Sequence, residues 1–398
     1  MAENNEKLFD QFPPVSYEEW RKKVETDLKG ADFDKKLVWR TNEGFNVQPI
    51  YRIEDIEDFK TTNSLPGQFP YVRGTRTDND WYARQEILAE EPKQANADAR
   101  DVLTRGITSL GFKVAEAADV PTLLEGIDLS KVEINLDCCP DKAVDVAKAL
   151  VEYIKTQGAT ETFRGSIAFN PLRKALRHGT PLCDCVVSKA VALIEAVKDI
   201  PALRVIDVDS AMFCNAGAFI YEELGYALAW GAQWMTALTE AGVSVDEAAR
   251  RIKFDMGVSS NFFMEIAKFR AGRMLWADIV KQYKPADEAA AKMVVHASTS
   301  RYNQTIFDAH VNLLRSQTET MSAAVAGVDS ITVTPFDAPY KKPDAFSERI
   351  ARNQQFLLKE ESHMDKVIDP AGGSYYVETL TVSIAREAWK LFLSIDEA

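Results

Sequence analysis

No apolar run in this sequence is long enough to span a bilayer, and its start, Met-Ala-Glu-Asn-Asn-Glu-Lys, lacks the basic and apolar regions of a secretory signal. A cytoplasmic location is the default expectation. No G-x-G-x-x-G follows the first strand pattern and no G-x-x-x-x-G-K-[ST] occurs anywhere, which argues against dinucleotide and P-loop chemistry. Histidine is scarce: His178, His296, His310 and His363 stand apart without paired ligand spacing, so no metal site is expected. The five cysteines, Cys138, Cys139, Cys183, Cys185 and Cys214, form no C-x-x-C pair, and reduced, mostly buried, inert thiols are the expectation. Positive charge is in deficit, 47 Lys and Arg against 60 Asp and Glu. The resulting net charge of -13 disfavours nucleic acid and anionic membrane as partners. Fixed-period repeats and low-complexity tracts are also missing.

What is present is ordinary for a large folded domain with an appendage: 398 residues, 46% of them hydrophobic and 27% charged. Ser16-Tyr-Glu-Glu19 forms a capping box, Trp20, Val24 and Leu28 give a helical stripe, and Gly30 is a stop. Strand-like runs at 37–41 and 45–51, separated by Asn42-Glu-Gly44, suit a short hairpin. Residues 52–68 read as a linker.

From about residue 95 strands and helices alternate. Strand candidates are 131–136, 165–169, 203–208, 293–296, 330–333 and 366–368, and helix candidates are 141–157, 181–198, 217–241, 261–282, 309–326 and 344–361. Repeated βα units imply a parallel sheet, and a closed (β/α)8 barrel suits the span better than an open doubly wound sheet. The helices at 217–241 and 261–282 are apolar on much of their circumference, which deep packing or a protein interface explains.

Several blocks resemble the methylmalonyl-CoA mutase family in order and spacing. They are Phe69-Pro-Tyr-Val-Arg-Gly74, Trp81-Tyr-Ala-Arg-Gln85, Asn215-Ala-Gly-Ala218, the run from Asn261 to Trp276, Arg349-Ile-Ala-Arg-Asn353, and the turn Asp369-Pro-Ala-Gly-Gly-Ser-Tyr-Tyr-Val-Glu378. The resemblance implies a TIM barrel that, in catalytic chains, threads the pantetheine arm of coenzyme A. A cobalamin domain then closes over the barrel mouth, and carbon–cobalt cleavage starts a radical interconversion of (R)-methylmalonyl-CoA and succinyl-CoA, a step of propionate metabolism. It also divides the chain into an extension at 1–66 that suits a subunit contact, a barrel domain at 67–395, and at 396–398 the start of a linker to a cobalamin domain that this sequence lacks. The turn at Asp369–Glu378 is expected to mark the barrel's closing strand.

The same resemblance points away from catalysis. The family's thioester-polarising histidine falls at Met212, which offers no hydrogen-bond donor, and its carboxylate-gripping arginine falls at Cys185, which offers neither charge nor a planar fork. Only Thr75–Asp80 separates Gly74 from Trp81, so the family's active-site tyrosine is lost with a deletion. Lys253 replaces a serine near the coenzyme A channel, Arg251 is retained, and His296 keeps a family histidine without its glutamine. The Asp-x-His-x-x-Gly motif that ligates cobalt is absent from the sequence. These departures resemble the small, non-catalytic subunit of heterodimeric bacterial members. They imply a large catalytic subunit as partner, adenosylcobalamin bound mainly by that partner, and no cofactor or metal in this chain.

Arg251 and His296 are the vestigial substrate-binding candidates. On the residues alone, Arg251 and Lys253 read as a solvated helix end, His296 as a packing or hydrogen-bonding residue, and Asp207 and Asp209 as carboxylates satisfied inside the barrel. A bore partly blocked by bulky side chains is expected. The alternatives are an autonomous acyl-CoA isomerase with an altered site and a chaperone-like, cobalamin-handling module.

Overall fold

The computed structural model describes residues 11–397, so the first ten residues and Ala398, the last residue of the expected linker, lie outside the described residues. The chain divides after Arg52 into two compact units. In the first, the helix Tyr17–Asp27 begins with the expected reciprocal cap: Glu19 N donates to Ser16 Oγ at 3.1 Å and Ser16 N to Glu19 Oε2 at 3.0 Å. Two of the helix's first unpaired N–H groups are thereby satisfied. The hairpin forms but is short, with β1 (Trp39–Arg40) antiparallel to β2 (Asn46–Val47).

The second unit is a closed barrel of eight parallel strands. In chain order they are β3 (Tyr82–Ile87), β4 (Ser109–Val114), β5 (Glu133–Cys138), β6 (Gly165–Phe169), β7 (Leu203–Asp209), β8 (Ile252–Val258), β9 (Val295–Thr299) and β10 (Ser330–Thr332). Each pairs with the next, and β10 returns to β3, with Ser330 level with Tyr82 and Thr332 with Arg84. The predicted (β/α)8 barrel is therefore the fold.

Three of these strands, β3, β4 and β8, escape a hydropathy reading, and their sequences show why. In β8, Ile252, Phe254, Met256 and Val258 turn outward into buried contact with the helices, while Lys253 and Asp255 turn into the bore. Parallel strands buried on both faces ordinarily read as continuous apolar runs. Here the inner face is charged, so Lys253 and Asp255 give β8 the look of a helix end. β3 follows the same rule, with Ala83 and Ile87 outward and Arg84 and Glu86 inward.

Helices Ile220–Glu240 and Phe262–Gln282 pack on each other and on the last helix, Tyr375–Asp396. Trp234, Met264, Phe269 and Trp276 are buried there, so most of the apolar circumference is explained by deep packing. Phe254 of β8 meets Trp276 edge-on at 4.8 Å between ring centroids, an arrangement aromatic pairs favour.

The segment 366–368 is not a strand, because β10 closes the barrel at Ser330–Thr332. The turn that follows has a different task. Asp369, at φ +46°, accepts from Arg73 Nε at 2.8 Å and from Arg270 Nη1, while Glu378 accepts from Arg270 Nη2 at 2.7 Å and from Gly373 N at 2.9 Å. Gly372 passes so close to the Arg73 guanidinium that a Cβ would collide with it. Arg273, one helical turn on from Arg270, donates to the carbonyls of Tyr71 and Val72 at 3.1 and 3.2 Å. Three blocks far apart in sequence, Phe69–Gly74, Asn261–Trp276 and Asp369–Glu378, thus converge on one buried ionic clasp.

Candidate functional site

Neighbouring residues in a parallel ladder point to the same side, and the barrel's registers bring Arg84, Ser109 and Glu133 level with one another, and Asn135 level with Ser166. Their side chains meet in the bore. Ser109 Oγ donates to Glu133 Oε2 at 2.5 Å, Asn135 Nδ2 to Ser109 Oγ at 3.0 Å, and Ser166 Oγ to Asn135 Oδ1 at 2.7 Å. Lys253 pairs with Asp255 at 2.8 Å and reaches Ser166 Oγ at 3.4 Å, so a side chain of β8 crosses to β6 past β7. Arg84 pairs with Glu86 at 2.7 Å, and Glu86 fills the space that a side chain at Gly111 would need. The groups crossing the bore are polar and charged rather than bulky and apolar.

Where β5, β7 and β8 end, the charge at the C-terminal rim is mostly negative. Arg173, on the helix Pro171–His178, donates to Asp137 of β5 at 2.7 Å and to Asp209 of β7 at 3.2 Å, and Asn170 Nδ2 donates to Asp207 at 3.1 Å. The rim therefore gathers Asp137, Asp207, Asp209 and Asp255 around Arg173 and Lys253. Burial, helped by the neighbouring Asp255, pushes the Asp209 carboxyl up to about 6 and raises Asp207 well above the ordinary range. Burial also disfavours charge on Asp255, but the permanent cations Lys253 and Arg84 outweigh it and hold that carboxyl at about 2. Asp207 and Asp209 are hydrogen-bonded inside the barrel, the arrangement expected of carboxylates flanked by Val208 and Ser210, and the arginine partner is Arg173.

The structure separates the candidate residues. His296 faces the bore, with Nδ1 2.8 Å from Ser330 Oγ, and burial followed by the Arg84 charge keeps its pKa well below the usual value. It is a neutral, hydrogen-bonded residue. Arg251 faces away from the bore: it donates to the carbonyls of Ile200 and Leu203 at 2.8 and 2.6 Å and to Glu247 at 2.7 Å. The solvated reading of Arg251 and Lys253 is corrected, since they are 1% and 6% exposed. Both cations are buried because each has fixed partners, the condition under which burying charge is tolerable.

Met212 lies half-buried on the short helix Ala211–Asn215 immediately after β7. Cys185 caps the helix Val186–Ala196 and forms a disulfide with Cys183, which corrects the expectation that all five thiols are reduced. Cys138 and Cys214 are buried free thiols, and burial pushes Cys138 up to about 12. Cys139 is free and exposed. The connection Thr75–Asp80 is anchored by Asn79 Nδ2, which donates to the carbonyls of Ala324 and Met364 at 3.0 and 2.8 Å.

Reading the sequence missed Arg84, Glu133, Asp137, Arg173 and Asp255. The available signal was a charge at every second position of a short apolar run, as in Ile252-Lys-Phe-Asp-Met256. It also missed a buried network behind the rim. Lys268, fully buried, pairs with Glu223 at 2.5 Å and Glu265 at 2.7 Å and donates to the Gly257 carbonyl at 2.7 Å, fixing the end of β8. Nearby Glu319 accepts from Asn303 Nδ2 at 2.5 Å, and burial pushes its carboxyl up to about 7.

A carboxyl whose folded pKa exceeds its unfolded value contributes stability below the unfolded value and loses it as pH rises through the folded one. Wild-type protein should therefore lose stability between pH 5 and pH 8 at this site. Glu319→Gln should be close to wild type at pH 5 and about 2–3 kcal/mol more stable than it at pH 8. Urea unfolding at both pH values measures the difference, and an equal gap at the two would refute the assignment.

The residues present do not fit a cobalamin cobalt. The one histidine in the bore is committed to Ser330, and among the described residues no group of three or more His, Cys, Asp or Glu side chains is placed to hold a metal ion. No described helix is long and apolar enough to cross a membrane.

Eight parallel strands closed around a polar bore, with ionisable groups gathered at their C-terminal ends, define a (β/α)8 protein of the kind that places ligand sites at that rim. The chain belongs to the methylmalonyl-CoA mutase family, whose model matches residues 40–113 and 107–398. It is 55% identical to the methylmalonyl-CoA mutase small subunit of Porphyromonas gingivalis, over 100% of this chain and 65% of that protein. The small subunit from Streptomyces virginiae is 33% identical over 98% of this chain and 65% of its own length. The large subunit from the same organism is 30% identical over 97% of this chain and 57% of its own length. The chain thus spans slightly less than two thirds of the small subunits it matches.

Proposed function

We propose that this chain is the small subunit of an adenosylcobalamin-dependent methylmalonyl-CoA mutase, non-catalytic by itself, which assembles with a large catalytic subunit that interconverts (R)-methylmalonyl-CoA and succinyl-CoA. The observation that carries the reading is Lys253 reaching across the bore to Ser166, with Asp255 at its other side. A pantetheine arm threaded along the axis would have to displace that lysine and the Ser166–Asn135–Ser109–Glu133 chain, leaving buried charges unpaired.

The rim supports the same reading. A substrate carboxylate arriving there would meet four carboxylates and two cations. Met212 has no proton to donate to a thioester oxygen, and Cys185 is taken up by Cys183. Adenosylcobalamin, which supplies the radical chemistry when bound, belongs in this reading to the partner. This chain's residues then serve to keep a barrel folded and presented for assembly.

Mixing the full-length protein with the large subunit and measuring the mass of the product tests the partnership. A one-to-one complex is expected. Two species that sediment independently at micromolar concentration would overturn the partnership.

A further inference from the structure

At the edge of the bore, one pocket concentrates positive charge. It lies at the C-terminal rim where the last strand meets the first, between the ends of β10 and β3, the loop 338–343 and the helix Ala345–Phe356, with a cavity of about 310 Å³. Five cations line it, Arg84, Arg301, Lys341, Lys342 and Arg352, against two carboxylates, Glu86 and Glu348. That excess is unexpected in a chain whose net charge is -13.

Existing contacts consume only part of it. Arg84 is paired with Glu86, and Lys341 with Asp337 and Asp344 at 3.2 and 2.8 Å. Arg301, Lys342 and Arg352 have no ion-pair partner among the described residues. Arg352 is 8% exposed, and its guanidinium makes a single long contact, Nη1 to Gln85 Oε1 at 3.5 Å. Asp101 and Glu348 attract this guanidinium without forming an ion pair with it, so it keeps capacity for a further anion.

Neutral donors in the wall are also left over. Gln355 accepts from Trp81 Nε1 at 3.2 Å through Oε1, which leaves its Nε2 without a partner. Thr332 Oγ1 and Arg84 Nη1 are buried and unpartnered as well. Buried polar atoms are ordinarily satisfied, so a cluster of spare donors beside spare cations marks a place for an acceptor-rich group.

We propose that this pocket binds a small dianion, either a phosphate monoester or a dicarboxylate, with Arg352 as its principal partner and Lys342 and Arg301 closing over it. The volume admits a charged head and a few further atoms, within the range of small-ligand sites. The pocket adjoins the bore through Arg84 and Glu86 and does not require the chain to be catalytic.

Calorimetric titration of the full-length protein with inorganic phosphate and with malonate, at ionic strength matched with chloride, tests this. Saturable binding of either anion is expected, weakened about tenfold by Arg352→Gln and by Lys342→Glu. The tighter arm identifies the head group. Lys342 lies on an exposed loop, so its variant keeps the test available should Arg352→Gln fail to fold. Absence of saturable binding for both anions, or unchanged affinity in both variants, would overturn the proposal.

Discussion

Replacing Arg270 with alanine should lower the free energy of unfolding by about 3–5 kcal/mol, the usual result of removing one member of a buried ion pair. Arg270 is completely buried and donates to Asp369, to Glu378 and to Thr381 Oγ1. Asp369 would retain Arg73, but Glu378 would keep only the Gly373 N–H, and its second carboxylate oxygen has no partner even in the wild type. An uncompensated carboxylate would then sit between the helix Phe262–Gln282 and the last helix. Arg270→Lys should recover part of the loss, since it restores the charge without the two-pronged geometry that reaches both acids. Denaturant unfolding of the three proteins makes the comparison. A loss under about 1 kcal/mol for the alanine variant would mean that the clasp does not hold the fold together.

That clasp also explains what could and could not be read from the sequence. The turn at Asp369–Glu378 was legible as a specific backbone device from its proline and adjacent glycines. Its role was not legible, because the distant partner that requires Gly372 to lack a side chain is Arg73, about 300 residues upstream. Val367 and Ile368 suggested a closing strand, yet Val367 is exposed and the chain there serves the clasp. The strands β6 and β7 were visible because most of their residues are apolar. The charged inner faces of β3 and β8 concealed those two.

The site divides in the same way. Met212 and Cys185 could be singled out only through resemblance to a family, since nothing in a lone methionine or cysteine announces a missing function. The bore network was out of reach because each of its bonds joins residues on different strands. Lys253 and Ser166 are 87 positions apart and meet only once the barrel closes.

The second large effect is one that should fail to appear. Placing at Met212 and Cys185 the polar groups that the resemblance implies for those positions, as Met212→His and Cys185→Arg, should leave isomerase turnover at background, although the two changes supply a hydrogen-bond donor and a carboxylate partner. Catalysis needs a substrate held in a productive pose before any charge can be stabilised, and enzymes of any kind gain roughly 10⁶-fold or more from the complete arrangement. Here Lys253 still spans the bore, and Glu86 still occupies the space beside Gly111. Asp137, Asp207, Asp209 and Asp255 still surround the rim. Two substitutions do not reach these obstacles.

The most direct measurement is therefore the adenosylcobalamin-dependent conversion of methylmalonyl-CoA by the full-length chain alone, as wild type and as the Met212→His, Cys185→Arg double variant. No turnover above the cofactor-only background is predicted for either, with activity appearing only when the large subunit is added. Turnover by the isolated wild type would contradict the non-catalytic role, and turnover by the double variant alone would contradict the closed bore.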